Sequence, residues 1–307
     1  MFRYLDVLQR SIRLLSRRLN KGQKFSRRSS LFGARIIDGN KFAKDVRQEV
    51  KREIQEWIKE GHTVPQLTAV LIGNDPTSST SIKDKMEAAR DVGITSDVIR
   101  IPDSTTEMEL LDIINSLNET PSVNGILLQH PLPRHVDERV ICDTVHPDKD
   151  VDGFHMSNIG RLCLDKPNLI PATAYAVWEL LHRSGSRMGV DATVTTCHQY
   201  TPANNLSEFT KAADILVVAV GSPCLVTADM IKDGAVVIDV GINRIWDSSQ
   251  KHYKIVGDVD FEDVVKKASF ISPVPGGVDP MTVAVLMKNT LQAAQIQVKK
   301  HRQDNVQ

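Results

Sequence analysis

Residues 273–282, Pro-Val-Pro-Gly-Gly-Val-Asp-Pro-Met-Thr, join a strand-like run to a helix-like run. Ala268–Ser272 predicts a strand before this stretch, and a helical pattern runs from Thr282 to about Ala294 after it. The prolines fix φ, and the glycine pair permits positive φ and the close approach of another group. The free N–H groups and positive dipole end of the following helix make a candidate ligand seat. A tight strand-to-helix turn is the simpler interpretation of this stretch alone.

Apolar runs alternate with helical patterns on both sides of this stretch. Buried strands are predicted at Leu67–Ile72 and Gly125–Gln129, and the second half adds Ala192–Cys197, Ile215–Val220 and Val236–Gly241. Strands that alternate with helices form parallel sheets, and ligands bind outside the carboxyl ends of such strands. The sequence therefore predicts an α/β protein with its site at those strand ends.

Length and composition exclude several classes of protein. The chain has 307 residues, enough for two domains, and a net charge of zero, which gives no support for a nucleic-acid partner. Its four cysteines form no C-x-x-C pair, and no apolar run is long enough to span a membrane.

The first 35 residues differ in composition from the rest. They carry ten basic residues and one acid, Asp6, and leucine and isoleucine recur in them at helical spacing. This is typical of a mitochondrial transit peptide, so we expect import into the matrix. A disordered basic arm is the alternative.

The segment Ser184–Asp191 is shorter than the connection that a nucleotide-binding α/β unit would have at this place in the chain. A nucleotide-binding α/β unit begins with a strand, a glycine-rich phosphate turn and a helix. Here the helix that ends at Arg183 leads almost directly into the strand predicted at Ala192. The sequence has neither a strand nor a phosphate loop between them.

Several polar residues fall where the predicted strands end. Lys85, on the helix after Pro76, could act as a general acid or base if its pKa were lowered, and Gln129 could hydrogen-bond it. Asp152 could accept N–H groups from a ring, and Asp239 could face a nucleotide. Each has a plainer interpretation: a solvated lysine, a capped strand end, or a loop residue.

From about Arg35 to Ala294 the chain resembles the bifunctional methylenetetrahydrofolate dehydrogenase/methenyltetrahydrofolate cyclohydrolase family, and most of all its mitochondrial members. The resemblance rests on a series of short motifs: Gly73-Asn-Asp-Pro76 with Ser78 and Lys85, Gly93-Ile94, Gly125–Pro133, His146–His155, Asn158–Cys163, Thr193-Val-Thr195, Val236–Asn243, Val256–Asp260 and Pro273–Val278.

The resemblance implies two parallel-sheet α/β domains around a cleft, the second being a Rossmann-like domain that lacks its first strand, loop and helix. The implied divisions are a transit peptide (1–35), a folate-binding catalytic domain (36–155 with 283–300), a truncated nicotinamide-cofactor-binding domain (156–282) and a tail (301–307).

The implied chemistry is oxidation of methylenetetrahydrofolate to methenyltetrahydrofolate, followed by hydrolysis to 10-formyltetrahydrofolate. By resemblance, Lys85 is the general acid/base of the hydrolysis, Gln129 tunes it, and Asp152 holds the pterin. The implied substrate-binding residues are Ser81, Leu128, Pro275, Gly276, Gly277 and Val278. NAD or NADP is the implied cofactor, with residues Asp191, Gln199, Gly221, Asp239, Gly241 and Ile242. Magnesium and phosphate near Asp191, and a homodimer, are also implied.

The chain departs from the family pattern at several positions. Ser81 stands where the family has a tyrosine four residues before the lysine, and Gln199 stands where mitochondrial relatives have an arginine. Asp279 replaces a glycine and His130 an apolar residue. Two alternatives therefore stay open: an impaired paralogue or splice form without dehydrogenase activity, and a nicotinamide dehydrogenase for another small metabolite.

Overall fold

The computed structural model describes residues 33–185, 192–248 and 251–304. These residues form two compact units. The first unit contains the described residues of 44–175 and 283–304, and the second contains those of 33–43 and 176–282. Of the predicted transit peptide, residues 1–32 lie outside the described residues.

The described strands and helices alternate along most of the chain. In order they are β1 (Arg35–Ile36), α1 (Gly39–Lys59), β2 (Gln66–Ile72), α2 (Pro76–Val92), β3 (Thr95–Ile101), α3 (Glu107–Glu119), β4 (Gly125–Leu128), α4 (Glu138–Thr144), α5 (Met156–Cys163), α6 (Ala172–Arg183), α7 (Ala203–Ala212), β5 (Ile215–Val218), β6 (Val236–Asp239), β7 (Asn243–Asp247), β8 (His252–Val256), α8 (Phe261–Val264), β9 (Phe270–Ile271) and α9 (Val278–Asp304). None of the helices described is long and apolar enough to cross a bilayer.

A three-stranded parallel sheet of order β3-β2-β4 is the centre of the first unit. β2 is the middle strand, and all of its residues after Gln66 are buried. A continuous apolar run suits a parallel strand whose two faces are both covered. One face packs against α3 and α4 in an apolar cluster that includes Val70, Leu110, Ile114, Ile126 and Ile141.

Helix α2 begins and ends with clear capping signals. The Asp75 side chain accepts the Ser78 N–H at 2.7 Å, and this bond holds the pKa of the Asp75 carboxyl below its usual value. Gly93 ends the helix with a φ of 91°, which costs glycine little. The caps fix where α2 starts after β2, and so fix which of its side chains lie near the carboxyl end of the sheet.

The second unit has a four-stranded parallel sheet of order β1-β9-β6-β5. Its apolar cluster includes Val218, Val237, Val264 and Ile271. Strands β7 and β8 form an antiparallel pair in the same unit, with residues 249–250 outside the described residues. The predicted α/β class, with parallel sheets, is therefore confirmed.

The strand predicted at Ala192–Cys197 is wrong. Residues 192–198 are described but form no strand, and most of them are exposed. In the described part of the sheet, β5 is the last strand and pairs only with β6. A strand at residues 192–197 needs a neighbour, and none of the described residues between Arg183 and this segment forms one. Local β propensity without a partner does not make a strand.

Two helices differ from the sequence prediction. Helix α5 was not predicted, and it begins where the His155 side chain accepts the Ser157 N–H. Helix α9 begins at Val278 rather than Thr282, because Pro280 is tolerated in a first helical turn where N–H groups have no intrahelical acceptor. Asp279 is exposed in the same turn, where a negative charge is favourable.

Candidate active site

Lys85 and Gln129 meet at the carboxyl end of the first sheet. Helix α2 carries Lys85, and Gln129 directly follows β4. The Lys85 Nζ donates a hydrogen bond to the Gln129 Oε1 at 2.9 Å. Gln129 is only 7% exposed, so this pair lies in partly desolvated surroundings. Desolvation disfavours the charged form of a lysine, so a lysine in such a place reaches its neutral amine form more easily than a solvated one.

The Gln129 amide is held in one orientation. Its Nε2 donates to the His130 backbone carbonyl at 2.7 Å, which leaves Oε1 to accept from Lys85. An amide offers an acceptor on one side and donors on the other. The bond to the backbone therefore decides which side faces the lysine.

The loop that carries Asp152 runs beside β4. The Ile126 N–H donates to the Lys149 carbonyl at 2.7 Å, and Ile126 forms an isolated bridge with Asp150. The Asp150 carboxylate accepts N–H groups from Gly153 and His155 at 3.0 and 2.8 Å. These bonds fix the turn on either side of Asp152.

Asp150 and Asp152 both have raised pKa values, chiefly because they are buried. Burial raises the Asp152 pKa to about 7, Lys85 opposes the rise, and Asp150 adds to it. A carboxyl with a pKa near 7 is half protonated at neutral pH, so it can either donate or accept a hydrogen bond. Asp152 thus suits a ligand edge that presents both donors and acceptors.

Two predicted substrate residues lie near this pair. Ser81 precedes Lys85 by one helical turn, so both lie on the same face of α2. Leu128 is the last residue of β4 and is buried. The structure therefore brings together Ser81, Lys85, Leu128, Gln129 and Asp152 within the first unit.

Residues Pro275–Val278 belong to the second unit. Gly276 has a φ of 100°, and a Cβ on Gly277 would lie 2.5 Å from the Pro273 carbonyl oxygen. A Cβ on Gly39 would lie 1.7 Å from the Gly277 carbonyl oxygen. The glycines therefore permit close packing against the start of α1. Ligand binding by this stretch stays a prediction.

Asp239 and Asp258 form a network of buried carboxylates at the carboxyl ends of β5 and β6. Asp239 accepts N–H groups from Gly241, Asp258 and Val259 at 2.9 to 3.0 Å. Burial raises the Asp239 pKa to about 6, although these donors oppose the rise. A Cβ on Gly241 would lie 2.2 Å from the Asp258 Cγ, so only glycine fits there.

Asp258 also holds the turn that contains Gly221. Its carboxylate accepts the N–H groups of Val220, Gly221 and Ser222 at 2.6, 2.9 and 2.9 Å. The Asn243 Nδ2 donates to the same carboxylate at 2.8 Å. The N–H groups of this turn are therefore bound to a protein carboxylate and are not directed at a phosphate.

The predicted cofactor residues fall into two groups. Gly221, Asp239 and Gly241 lie together in the network just described, and Ile242 follows with 53% of its surface exposed. Gln199 is exposed in the irregular segment after residue 192, and Asp191 lies outside the described residues. No glycine-rich turn between a strand and a helix is present in the described second unit, so these residues do not fit a dinucleotide pyrophosphate. Nor do the described residues contain a His, Cys, Asp or Glu cluster that could hold a metal.

Four residues of the first unit were not predicted as parts of the site. Asp150 and Asn158 fix the Asp152 turn, since Asn158 Nδ2 donates to the Asp150 carboxylate at 3.0 Å. His130 and Glu138 lie beside Gln129, with the His130 Nδ1 3.5 Å from the Glu138 Oε1. The three aspartates at alternate positions, Asp148, Asp150 and Asp152, are a sequence signal that could have pointed to Asp150. No sequence signal points to the His130–Glu138 pair.

The arrangement suits acid–base chemistry at an electrophilic carbon. A partly desolvated lysine can take a proton from water and return it to a leaving nitrogen. Gln129 orients the lysine without adding charge, and Asp152 offers a carboxyl that exists in both protonation states near neutral pH.

Comparison with known proteins identifies two matching domains. The sequence pattern of the tetrahydrofolate dehydrogenase/cyclohydrolase catalytic domain matches residues 37–152, and that of the NAD(P)-binding domain of the same family matches residues 174–298. The chain is 49% identical to the chicken mitochondrial bifunctional methylenetetrahydrofolate dehydrogenase/cyclohydrolase, over 84% of this chain and 86% of that protein. The human mitochondrial enzyme 2 is also 49% identical, over 84% of each chain.

Solved structures give the same result. The 5,10-methylenetetrahydrofolate dehydrogenase of the silkworm, Bombyx mori, has a TM-score of 0.80 and 43% identity, over 87% of this chain and 99% of that one. The bifunctional enzyme of Campylobacter jejuni has a TM-score of 0.79 and 38% identity, over 85% and 99%.

The match to the chicken protein extends over 290 positions but includes only 84% of the 307 residues of this chain, about 258. About 32 of the matched positions in total therefore have no residue in this chain.

Proposed function

Because the chain belongs to the tetrahydrofolate dehydrogenase/cyclohydrolase family, we propose that it acts on one-carbon derivatives of tetrahydrofolate. The family-level function is oxidation of 5,10-methylenetetrahydrofolate to the methenyl form and hydrolysis of that form to 10-formyltetrahydrofolate. The geometry supports the hydrolytic half best. The observation that carries it is the 2.9 Å bond between Lys85 and Gln129, beside the perturbed carboxyl of Asp152.

Lys85 carries the proton transfers in the proposed hydrolysis. Water adds to the cationic methenyl carbon and gives one proton to the neutral Lys85 amine. The Lys85 ammonium then returns that proton to N5 as the bond between N5 and the carbon breaks. The new hydroxyl becomes the formyl carbonyl and releases its proton to solvent. One proton is released overall, which balances the loss of the positive charge of the substrate.

Gln129 and Asp152 have positioning and binding roles in this scheme. Gln129 keeps the Lys85 amine directed at one place through the 2.9 Å bond. Asp152 binds the pterin, whose edge presents both hydrogen-bond donors and acceptors. Ser81 and Leu128 contact the substrate as well, and this assignment rests on the family resemblance alone.

The oxidation step needs NAD or NADP, and the family match includes an NAD(P)-binding domain. A related Trypanosoma brucei enzyme has been solved with NADP. In this chain the described residues of the second unit provide no seat for the pyrophosphate, so we assign no residue to hydride transfer. Gln199 brings no charge for a phosphate ion, so neither magnesium nor phosphate is given a role.

The test is a direct assay of hydrolysis by the purified chain. Methenyltetrahydrofolate absorbs light that the formyl product does not, so its loss can be followed without any dinucleotide. We expect the chain to accelerate hydrolysis above the spontaneous rate in the same buffer. A rate equal to the spontaneous one would refute the proposed function.

We also propose that the chain forms a homodimer, and the exposed aromatic face of the β7–β8 hairpin supports this. Trp246 and Tyr253 are each 54% exposed, and their rings stack edge to face at 5.0 Å. An exposed apolar patch on a protein of this size is a candidate interface. Sedimentation of Trp246→Glu should show more monomer than that of the parent. Identical sedimentation would exclude this hairpin as the interface.

Mitochondrial import is proposed from the basic composition of the first 35 residues. The chicken, human and Drosophila relatives are named as mitochondrial enzymes. Residues 1–35 fused to a fluorescent protein should direct it into mitochondria. A diffuse cytosolic signal would contradict the proposal.

A further inference from the structure

His130 lies directly beside the residues proposed to carry the hydrolysis. It follows Gln129 in the chain, and its backbone carbonyl accepts the Gln129 Nε2 hydrogen bond. Its ring lies edge to face against Phe154, with centroids 5.8 Å apart. The ring and Asp152 line one small cavity in the first unit. The imidazole is thus a titratable side chain within the site, with no role in the proposed mechanism.

The His130 imidazole has charged groups of both signs around it. Its side chain is 19% exposed, and Glu138, the first residue of α4, lies 3.5 Å from its Nδ1. Burial lowers the His130 pKa most, Glu138 raises it, and Lys85 lowers it. Glu138 from α4 lies against the ring, and Cys142 from α4 and Asp150 and Asp152 from the loop beside β4 line the same cavity. Lys85 from α2 is near enough for its charge to act on the imidazole.

We propose that His130, paired with Glu138, is a positioning residue of the hydrolytic site that sets how readily Lys85 holds its proton. This inference rests on the proposed function. Two cations in a partly desolvated site disfavour each other, and the effect is mutual because each proton changes the affinity for the other. Glu138 offsets part of this repulsion by stabilising the imidazolium. Protonation of His130 therefore favours the neutral amine of Lys85.

The proposal makes the site sensitive to pH below neutrality. The neutral imidazole leaves Lys85 free to hold its proton, and the imidazolium that forms in acid favours loss of that proton. The hydrolysis profile should therefore contain an inflection that belongs to His130. An apolar side chain at residue 130 would remove this inflection without changing the bond between Lys85 and Gln129.

Titration of the His130 ring by NMR tests the coupling without any need for activity. The full-length chain is compared with Lys85→Met and Glu138→Gln. The His130 pKa should rise by about half a unit or more when the Lys85 charge is removed, and fall by a similar amount when the Glu138 charge is removed. His135→Gln provides the resonance control, since His135 is exposed and bonds to the Thr105 carbonyl at 2.9 Å. An unchanged His130 pKa in both variants would overturn the proposal.

The pH profile of hydrolysis supplies the second measurement. His130→Gln keeps a polar side chain and loses the charge, so its profile should lack the acid inflection and its substrate KM should stay near that of the parent. His135→Gln should retain the inflection. Superimposable profiles for the parent and His130→Gln would contradict the proposal. A chain with no hydrolytic activity would refute the proposed function, and the NMR titration would still decide whether the coupling exists.

Discussion

The Lys85 Nζ and the Gln129 Oε1 are 2.9 Å apart, and the Gln129 Nε2 is bound at the same time to the backbone carbonyl of residue 130. The amide therefore cannot turn without losing both bonds. A rigid neutral acceptor orients the lysine and leaves it able to lose its proton, whereas a carboxylate in the same place would hold the charge on the lysine. This relationship connects the end of β4 with the chemistry proposed for α2.

Restoring an aromatic ring at residue 81 should improve substrate binding. Ser81 is one turn from Lys85 on the same face of α2, and a serine has no ring face for a pterin to stack on. We expect Ser81→Tyr to lower the KM for methenyltetrahydrofolate several-fold and to keep kcat within the same range. The control is Thr80→Tyr, because Thr80 is exposed and points away from this face. Equal KM values for the two variants would show that residue 81 does not contact the substrate.

Asp152→Asn should make the protein more stable at neutral pH and impair substrate binding. The folded-state pKa of about 7 exceeds the ordinary value of 3.8, so the native state holds an extra proton between these values. Stability of the parent should therefore fall as the pH rises from about 4 to about 7, and an asparagine removes that dependence. At pH 7.5 the free energy of unfolding of Asp152→Asn should exceed that of the parent by a few kcal/mol at most, and near pH 4 the two should be equal.

The measurement is urea unfolding of parent and variant at several pH values, with the KM for substrate measured at pH 7.5. A stability difference that stays constant across the pH range would show that Asp152 is not the group responsible. An unchanged KM would remove its proposed contact with the pterin.

Asp258→Asn should destabilise the second unit. The carboxylate accepts four hydrogen bonds, three from the turn at 220–222 and one from Asn243. An amide presents an NH₂ group to some of these donors, so the free energy of unfolding should fall by about 2–4 kcal/mol. Asp260→Asn is the matched control, since it removes the same charge two residues away without touching the turn. Thermal unfolding of the two variants should separate them by several degrees. Equal midpoints would contradict the role assigned to Asp258.

Dinucleotides should stabilise the chain much less than a folate ligand does. A ligand at 100 times its Kd adds about 2.7 kcal/mol to the free energy of unfolding. A folate analogue at saturation should therefore raise the Tm, whereas NAD and NADP at millimolar concentration should raise it little. An intact family member measured in parallel shows the shift that a complete cofactor site gives. A dinucleotide shift as large as that of the intact member would show that residues outside those described complete the site.

Local pattern was enough to predict elements whose partners are close in the chain. The spacing Thr106-x-x-Glu109 in the sequence is typical of a capping box that opens a helix, and in the structure the Glu109 N–H donates to the Thr106 Oγ1 at 3.3 Å. The buried strand at residues 67–72 was predicted from its apolar run and is confirmed as β2. Both signals depend on residues within one or two turns.

Features that depend on distant partners were not predicted. Residues 192–197 have β propensity, but a strand also requires a neighbouring strand, and the sequence pattern does not show whether one exists. Asp258 was not singled out, because its carboxylate binds a turn that lies 36 to 38 residues earlier in the chain. His130 and Glu138 are eight positions apart, and only the path of the chain after β4 brings them to 3.5 Å. The resemblance supplied Lys85, Gln129 and Asp152 together, whereas the residues alone gave each only a modest case.

The hydrolysis rate of Lys85→Met, compared with that of Lys83→Met, measures what the Lys85 amine contributes to the reaction. Lys83 is exposed two residues earlier on the same helix, so its variant removes an equal charge from outside the site. We expect Lys85→Met to lose about 100-fold or more of the enzymatic rate, in line with the loss of a general acid–base group, and Lys83→Met to match the parent. A Lys85→Met variant that hydrolyses methenyltetrahydrofolate as fast as its parent would show that the pair of Lys85 and Gln129 does not carry the reaction.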